Sequence, residues 1–546
     1  MEKQIYRLLV LIVPVFIQHT SFSQGVIKAE SGARIVSQTG SYWVVDGGNF
    51  TLTSQSADNP ASFANLKIEA EASLTIEPQS YLTVSGTLTN SVGITGLVIQ
   101  SNATGSGSLI NSTDGVSATV ERWMSGDIWH LISPTATSQS AAAFINDADN
   151  GIASNTTNYG LAPYKENTNI WNYFKKSGIV GVLDTIAKGY QVLRNADGIV
   201  SFKGILAGGD KTIEISRSSY GWNLIGNPYP CALDIELFLA NTGNIAAIEP
   251  SYLGIYVADV NNFGYIAINS SNGANDLKLA SGEAFFVKSA LTSGSISFTA
   301  SNMKSHTSDA FKSAVIQNGF NLVAESAGNK MSTTVKYIPQ MTAGLDPGWD
   351  AGLFDNGDET SFNLFTELVE DNGVDFTIQC LPDYDYENLV VPVGITAQKG
   401  ATVEFSLADI TVPVGYKVFL EDKVSGKFTR LDEQGSSYSV QLNANSNGTG
   451  RFFLHTKQEI TGMKDGLSNQ ILVIPMPQQS IIRVSGIVNL PAQATVYDMN
   501  GRMIAIKNLT GLNENEIPLQ GVSKGFYLIK IKSDKQTTQS KFSWSL

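Results

Sequence analysis

Residues 65–84 read Asn65-Leu66-Lys67-Ile68-Glu69-Ala70-Glu71-Ala72-Ser73-Leu74-Thr75-Ile76-Glu77-Pro78-Gln79-Ser80-Tyr81-Leu82-Thr83-Val84. Three apolar pairs, Leu66 with Ile68, Leu74 with Ile76 and Leu82 with Val84, recur eight residues apart, and each pair skips one polar position. Alternation of this kind marks a strand with one buried face, and Glu77-Pro78-Gln79-Ser80 and Ser85-Gly86 supply the corners. Leu97 with Ile99 continues the series. Two architectures fit residues 24–120: a short β-solenoid whose coils stack Leu-Thr-Ile strands, and a β-meander of hairpins. The near-identity of Leu-Thr-Ile, Leu-Thr-Val and Leu-Thr-Asn favours the solenoid.

The rest of the chain has the same texture. Its 546 residues predict three to five units. Charged residues are only 16%, against a usual share of about 25%. Fifty glycines and many Ser, Thr and Asn take their place, which suits half-buried strands joined by tight turns. The fold class expected is all-β and multi-domain. A net charge of −13 repels phosphate backbones and anionic lipid, so nucleic acid is not an expected partner. Cys231 and Cys380 lie too far apart in sequence to suggest a disulfide framework or a thiolate metal site.

Residues 1–23 read as a signal peptide: Lys3 and Arg7 precede the apolar run Leu8 to Ile17, and the small residues Ser21 and Ser23 follow. The run is too short to cross a bilayer core of about 30 Å as a helix. The mature chain, from Gln24, is expected to hold no transmembrane segment.

Beyond residue 120 a longer repeat appears. Trp129-His130-Leu131-Ile132-Ser133-Pro134 is echoed by Trp222-Asn223-Leu224-Ile225-Gly226-Asn227-Pro228, and Ala187-Lys188-Gly189-Tyr190 by Ala280-Ser281-Gly282-Glu283, both at an offset of 93. Two independent landmarks with one offset predict two related β-rich blocks, 121–215 and 216–308. Each has a short helix candidate, Ala141 to Asn146 and Leu233 to Ala240, the second capped by Asp234. A third block, 309–458, opens on a weaker echo, Gly319-Phe320-Asn321-Leu322-Val323, and alternates as a β-sandwich would. Residues 459–469 read as a polar linker.

Residues 470–546 hold about seven short strands, enough for an immunoglobulin-like sandwich, with Asn500-Gly501 at a hairpin turn. Within them, Val496-Tyr497-Asp498-Met499-Asn500-Gly501-Arg502 and Gly525-Phe526-Tyr527-Leu528-Ile529-Lys530-Ile531 resemble the C-terminal sorting domain of type IX secretion cargo. The motif residues carried over are Pro475, Pro477, Tyr497, Asp498, Asn500, Gly501, Arg502, Gly525 and Tyr527. Val473-Ile474-Pro475-Met476-Pro477 stands where that family has an aliphatic-Tyr-Pro-Asn-Pro run. The resemblance implies export across the outer membrane of a Gram-negative cell, with the type IX secretion machinery as partner and a secreted or cell-surface destination. The middle blocks also resemble segments of uncharacterised cargo of that system, which brings no activity with it.

Catalytic motifs are scarce. His130, His306 and His455 share no metal-binding spacing, and no Gly-x-Ser-x-Gly elbow occurs. Asp346, Asp350, Asp355 and Asp358 in DPGWDAGLFDNGDE could offer calcium its hard oxygen ligands, as could Asp147 with Asp149; solvated acidic turns are the simpler alternative. Asp383, Asp385 and Glu387 alternate with Tyr384 and Tyr386, which predicts a strand with one acidic and one aromatic face. Trp43, Trp123, Trp171 and Trp349 could stack on sugars or fill cores. The expectation is a non-enzymatic, adhesin-like or ligand-binding scaffold for glycan, matrix or another cell surface, with no cofactor unless calcium. A polysaccharide-active enzyme and a calcium-stabilised structural module are the alternatives.

Overall fold

Parallel pairing separates a solenoid from a meander, because hairpins can only pair antiparallel. Asn49–Thr53, Ser73–Ile76 and Leu97–Ile99 stack parallel on Gln24–Lys28, with Leu52 beside Ile76 and Ile76 beside Ile99. A second wall stacks Ala61–Phe63, Tyr81–Val84 and Ser108–Asn111, and a third Tyr42–Val45, Asn65–Ile68 and Leu88–Asn90, all parallel. The eight-residue step is therefore one side of a three-sided coil. Leu66, Leu74 and Leu82 lie on three different walls and point into one core, each no more than 1% exposed. Side chains hold the corners. Asn65 Oδ1 accepts from Thr87 N–H, and the Asn90 amide donates to Gly93 O and to Ser117 O on the next coil. Gly86 is needed at its corner because a Cβ there would lie 2.4 Å from Ala64 O.

This computed structural model describes residues 24–28, 42–53, 60–69, 71–183, 185–259, 264–272, 278–304, 318–354, 361–458, 472–476, 480–485, 491–510, 514–533 and 537–544. The signal peptide at 1–23, the linker at 459–469, and His306, Asp355, Asp358 and Pro477 lie outside them. Among the described residues no helix is long and apolar enough to cross a membrane.

The solenoid does not end at a loop. Ser117–Met124 pairs parallel with Leu97–Ile99 on one side and antiparallel, over its whole length, with Gly198–Leu206 on the other. One sheet thus runs from the first coil into the first repeated block.

The two blocks share a topology. In the first, a four-stranded sheet orders Trp129–Ile132, Tyr190–Leu193, Leu161–Lys165 and Ile170–Trp171; in the second, Trp222–Gly226, Ala284–Lys288, Ile255–Asp259 and Gly264–Ile268 take the corresponding places. The helices fall where the sequence puts them, at Ala141–Asn146 and Ile235–Leu239, and Asp234 caps the second by accepting from Leu237 N–H. Each block also carries a buried asparagine. Asn150 donates to Phe144 O and accepts from Ser201 N–H; Asn244 donates to Phe238 O and accepts from Ser297 N–H. The copies face each other reciprocally: Ile132 bridges to Glu283, and Ile225 bridges to Lys188. Such exchange of matching contacts is what a two-fold interface produces.

The third unit is built on one sheet of eleven strands. It curls until strands near its two ends touch: Tyr438 donates to Asp422 Oδ2 at 2.6 Å, and Phe405 meets Phe452 at 4.8 Å between ring centres. The enclosed core includes Leu322, Val335, Val393, Phe405, Val418 and Leu454. The echo at Gly319–Val323 does not open a third copy of the repeat, because Asn318–Ser326 sits mid-sheet between Asn329–Tyr337 and Thr402–Thr411. Trp222, Tyr256 and Phe286 of the second copy join an apolar cluster with Phe354, Ile378 and Cys380 of the third unit and with Tyr164 and Trp171 of the first copy.

The C-terminal unit is a small sandwich. Leu472–Met476, Ile481–Ser485 and Glu514–Pro518 form one sheet; Met503–Leu509, Ala492–Asp498, Gly525–Ser533 and Thr537–Trp544 form the other. Ile482, Val484, Val496, Ile529 and Trp544 fill the space between.

Candidate functional site

The motif residues of the C-terminal unit build a tight turn and a pinned strand. Asp498 Oδ1 accepts from the Asn500 and Arg502 N–H groups at 3.0 and 2.9 Å, and its Oδ2 accepts from Arg502 Nε at 3.1 Å. The backbone hydrogen bond from Arg502 is foremost in holding the Asp498 carboxyl below its usual value. Gly501, at φ 81°, takes the left-handed position of the turn. Tyr527 is buried, stacks on Phe542 and donates to Ser523 O at 2.7 Å. Gly525 opens that strand, Tyr497 lies on the strand paired with it, and Pro475 is buried on the first strand.

One charge cluster joins this unit to the third. Glu421, 1% exposed, lies between Arg483 and His455: Arg483 Nη1 donates to its Oε1 at 2.7 Å, and His455 Nε2 lies 2.9 Å from its Oε2. Glu516 meets Arg483 at the rim, at 3.3 Å. Burial pushes the His455 imidazole below its ordinary value against the pull of its hydrogen bond with Glu421. Burial works to raise the Glu421 carboxyl, but the His455 hydrogen bond and the Arg483 charge outweigh it and hold the group low. The neighbouring Asp422 is fully covered, gripped in bidentate fashion by Arg451 and bonded by Tyr438; burial opposes these contacts, yet they hold it at about 2. Arg483 and Glu421 escape sequence reading because they lie on different units. His455 has the wrong neighbours for a metal ligand, since its Nε2 lies on the same carboxylate that Arg483 binds.

The acidic loop is occupied by backbone donors. Asp346 Oδ2 accepts from Thr342 N–H and hydroxyl, and Asp350, fully buried, accepts from Asp346 N–H at 2.6 Å and Cys380 N–H at 2.7 Å. Burial lifts the Asp350 carboxyl to about 7 against those two bonds. Asp147 pairs with Lys203 at 2.5 Å and accepts from Asp149 N–H.

Residues 383–387 are not a strand. They form turns between Phe376–Leu381 and Val390–Ala397, with Asn388 donating to Asp385 Oδ1 at 2.7 Å. Tyr386 is buried between Tyr337 and Tyr416, while Tyr384 is 77% exposed, so the acidic and aromatic residues do not sort onto two faces of a sheet. His130 is half-buried and bonds Ser125 O, and burial lowers its pKa. Both cysteines are buried and neither forms a disulfide. Trp171 packs edge-on against Tyr164 and Phe286, and Trp123 and Trp349 are half-buried. Trp43 alone of these four is exposed, at 37%, stacked 4.8 Å from Phe63.

Residues 40–455 match the domain of unknown function DUF8693, which spans most of the chain. The chain belongs to the DUF8693 family. Residues 472–544 of this DUF8693 protein match the secretion system C-terminal sorting domain, covering all of the described two-sheet sandwich. It is therefore a type IX secretion cargo, exported across the outer membrane to the cell surface or the medium, and its C-terminal domain engages the secretion machinery. No curated protein matches. Among solved structures, one titled "Biofilm associated protein - BSP domain" is 10% identical over 78% of this chain and 92% of that one, with a TM-score of 0.17. A score that low does not describe a shared fold.

Proposed function

We propose that this DUF8693 protein works outside the cell as a non-catalytic β scaffold, adhesin-like, that binds a glycan, matrix or neighbouring cell surface. The observation that carries this reading is the continuity of its junctions. A shared strand, Ser117–Met124, joins the solenoid to the first copy; an apolar seam ties both copies to the third unit. Junctions made of sheet and core hold units at fixed spacing, which suits display of a binding surface under load. Tyr42 and Val44 are exposed on the outward face of an outer solenoid strand, and Trp43, on the opposite side of that strand in register with Leu66, is 37% exposed over Phe63. The Trp43 ring, with one side on Phe63, can stack a sugar on the other.

The test is a glycan array read with the purified chain, beside a reducing-sugar assay on the polysaccharides it retains. Binding without sugar release, weakened about tenfold by Trp43→Ala, is expected; that loss corresponds to about 1.4 kcal/mol. Sugar release by the wild-type chain would replace this reading with that of a polysaccharide-active enzyme.

A further inference from the structure

The sorting domain is basic on an acidic chain. Residues 472–546 carry eight Lys and Arg against four Asp and Glu, whereas the whole chain has 36 against 49. Its two sheets differ in what covers them. On the three-stranded sheet, Ile474 and Arg483 are cross-strand partners outside the domain's own core cluster, yet they are only 2% and 6% exposed. Arg483 reaches Glu421 of the third unit, so this sheet faces the body of the protein. Ile474, where the sorting family has Tyr, is thus buried beside the docking arginine.

The four-stranded sheet is open. Met503 and Phe526 are more than half exposed, and Leu528 is half-buried beside them. Lys530 and Lys532 continue the outward row along Gly525–Ser533, and Lys541 lies opposite Leu528 with its amine 4.5 Å from the centre of the Phe526 ring. Ile506 adds a further exposed apolar side chain, and no outward position of the four described strands carries a carboxylate. A flat face with exposed apolar side chains at one end and charge of a single sign matches a partner that is apolar and anionic.

We propose that the export machinery reads the sorting domain on this outer face, through a receptor protein with an acidic, apolar surface, and that the Arg483–Glu421 pair holds the face outward. The inference rests on the sorting-domain assignment and adds the orientation of the domain and the chemistry of its receptor. A protein receptor is favoured over lipopolysaccharide because the matching domain is one that a secretion system sorts.

The experiment expresses the full chain in a host with type IX secretion and measures the exported and periplasmic fractions. Lys530→Glu with Lys532→Glu and Lys541→Glu is expected to cut export about tenfold or more, while Lys330→Glu with Lys399→Glu and Lys427→Glu on the body leaves it unchanged. Folding is checked by the unfolding midpoint of the purified chain. Should the reversals unfold the domain, Gln at the same three positions keeps the test open, with an expected loss of about threefold. Wild-type export of the folded variant would overturn the proposal. So would wild-type export accompanied by loss of binding to lipopolysaccharide vesicles, which would make the face a lipid contact. Normal export after deletion of residues 472–546 would instead overturn the sorting assignment itself.

Discussion

Replacing Arg483 by Ala removes the guanidinium bonded to a carboxylate that is 1% exposed, leaving Glu421 its hydrogen bond with His455. Breaking a buried pair in this way costs about 3–5 kcal/mol. The chain has two escapes: Glu421 can take up a proton, or the sorting domain can lift so that water reaches the carboxylate. Proton uptake at neutral pH is costly because the group remains bonded to His455, so lifting is the cheaper response. The cost therefore falls on the small domain. For a domain of 60–100 residues each kcal/mol moves the midpoint by about 4–8 °C, so a loss of about 3 kcal/mol lowers its transition by roughly 12–24 °C, up to the limit set by the undocked domain. Because the folded Glu421 carboxyl lies below its unfolded value, the lock contributes fully above the unfolded pKa of about 4.3 and is lost as pH falls through the folded value. Calorimetry of the full chain at pH 7, with hydrogen exchange at 418–422 and 481–485, measures this. Glu421→Gln combined with Arg483→Met should recover most of the loss, since a buried pair exchanged for neutral groups of similar size is nearly neutral. An unshifted Arg483→Ala transition, or a double variant no better than the single, would refute the reasoning.

Asp350→Asn keeps one acceptor but turns an amide donor toward a backbone N–H, and is expected to cost about 1–3 kcal/mol in urea unfolding. In the wild-type chain the Asp350 carboxyl is raised in the fold, to about 7, so its contribution is greatest below the unfolded value of about 3.9 and is lost as pH rises toward 7. The Asn variant should lack that slope between pH 4 and pH 7. Asn150→Ala and Asn244→Ala each strand a buried carbonyl and a buried N–H, so each should cost about 2–4 kcal/mol, and by similar amounts, because the two sites are copies. Calcium should leave the unfolding midpoint within about 2 °C of that in chelator, because both Asp350 oxygens already accept backbone protons; a larger rise would assign the acidic loop to a cation.

The solenoid and the sorting domain were legible because each carries a local signal, an eight-residue step and a turn motif; of the two repeat landmarks, the Trp-Leu-Ile strands correspond at the offset of 93, whereas Tyr190–Leu193 corresponds to Phe285–Lys288, at 95. What failed to show was either non-local or locally ambiguous. Glu421 and Arg483 meet across 62 residues and two units, and nothing in either neighbourhood marks them as partners. Asp383 to Glu387 alternates as a strand does, but Asn388 closes a turn on Asp385 and only Tyr386 of the two tyrosines finds a pocket. The buried asparagines do leave a trace, since Phe144 precedes Asn150 by the same interval that separates Phe238 from Asn244. An isolated asparagine looks like a loop residue until its spacing is compared between the copies.

The strand Ser117–Met124 has a consequence for how the protein is made. Its partner ends at Leu206, so the last coil has a bare eight-residue edge until about eighty further residues have been delivered. During that interval the edge can pair with any passing strand. Closing a loop that long is slow compared with forming local coils. A chain cut anywhere between 124 and 198 would carry that exposed edge permanently, so it should self-associate through it, whereas one that ends beyond 206 has that edge covered.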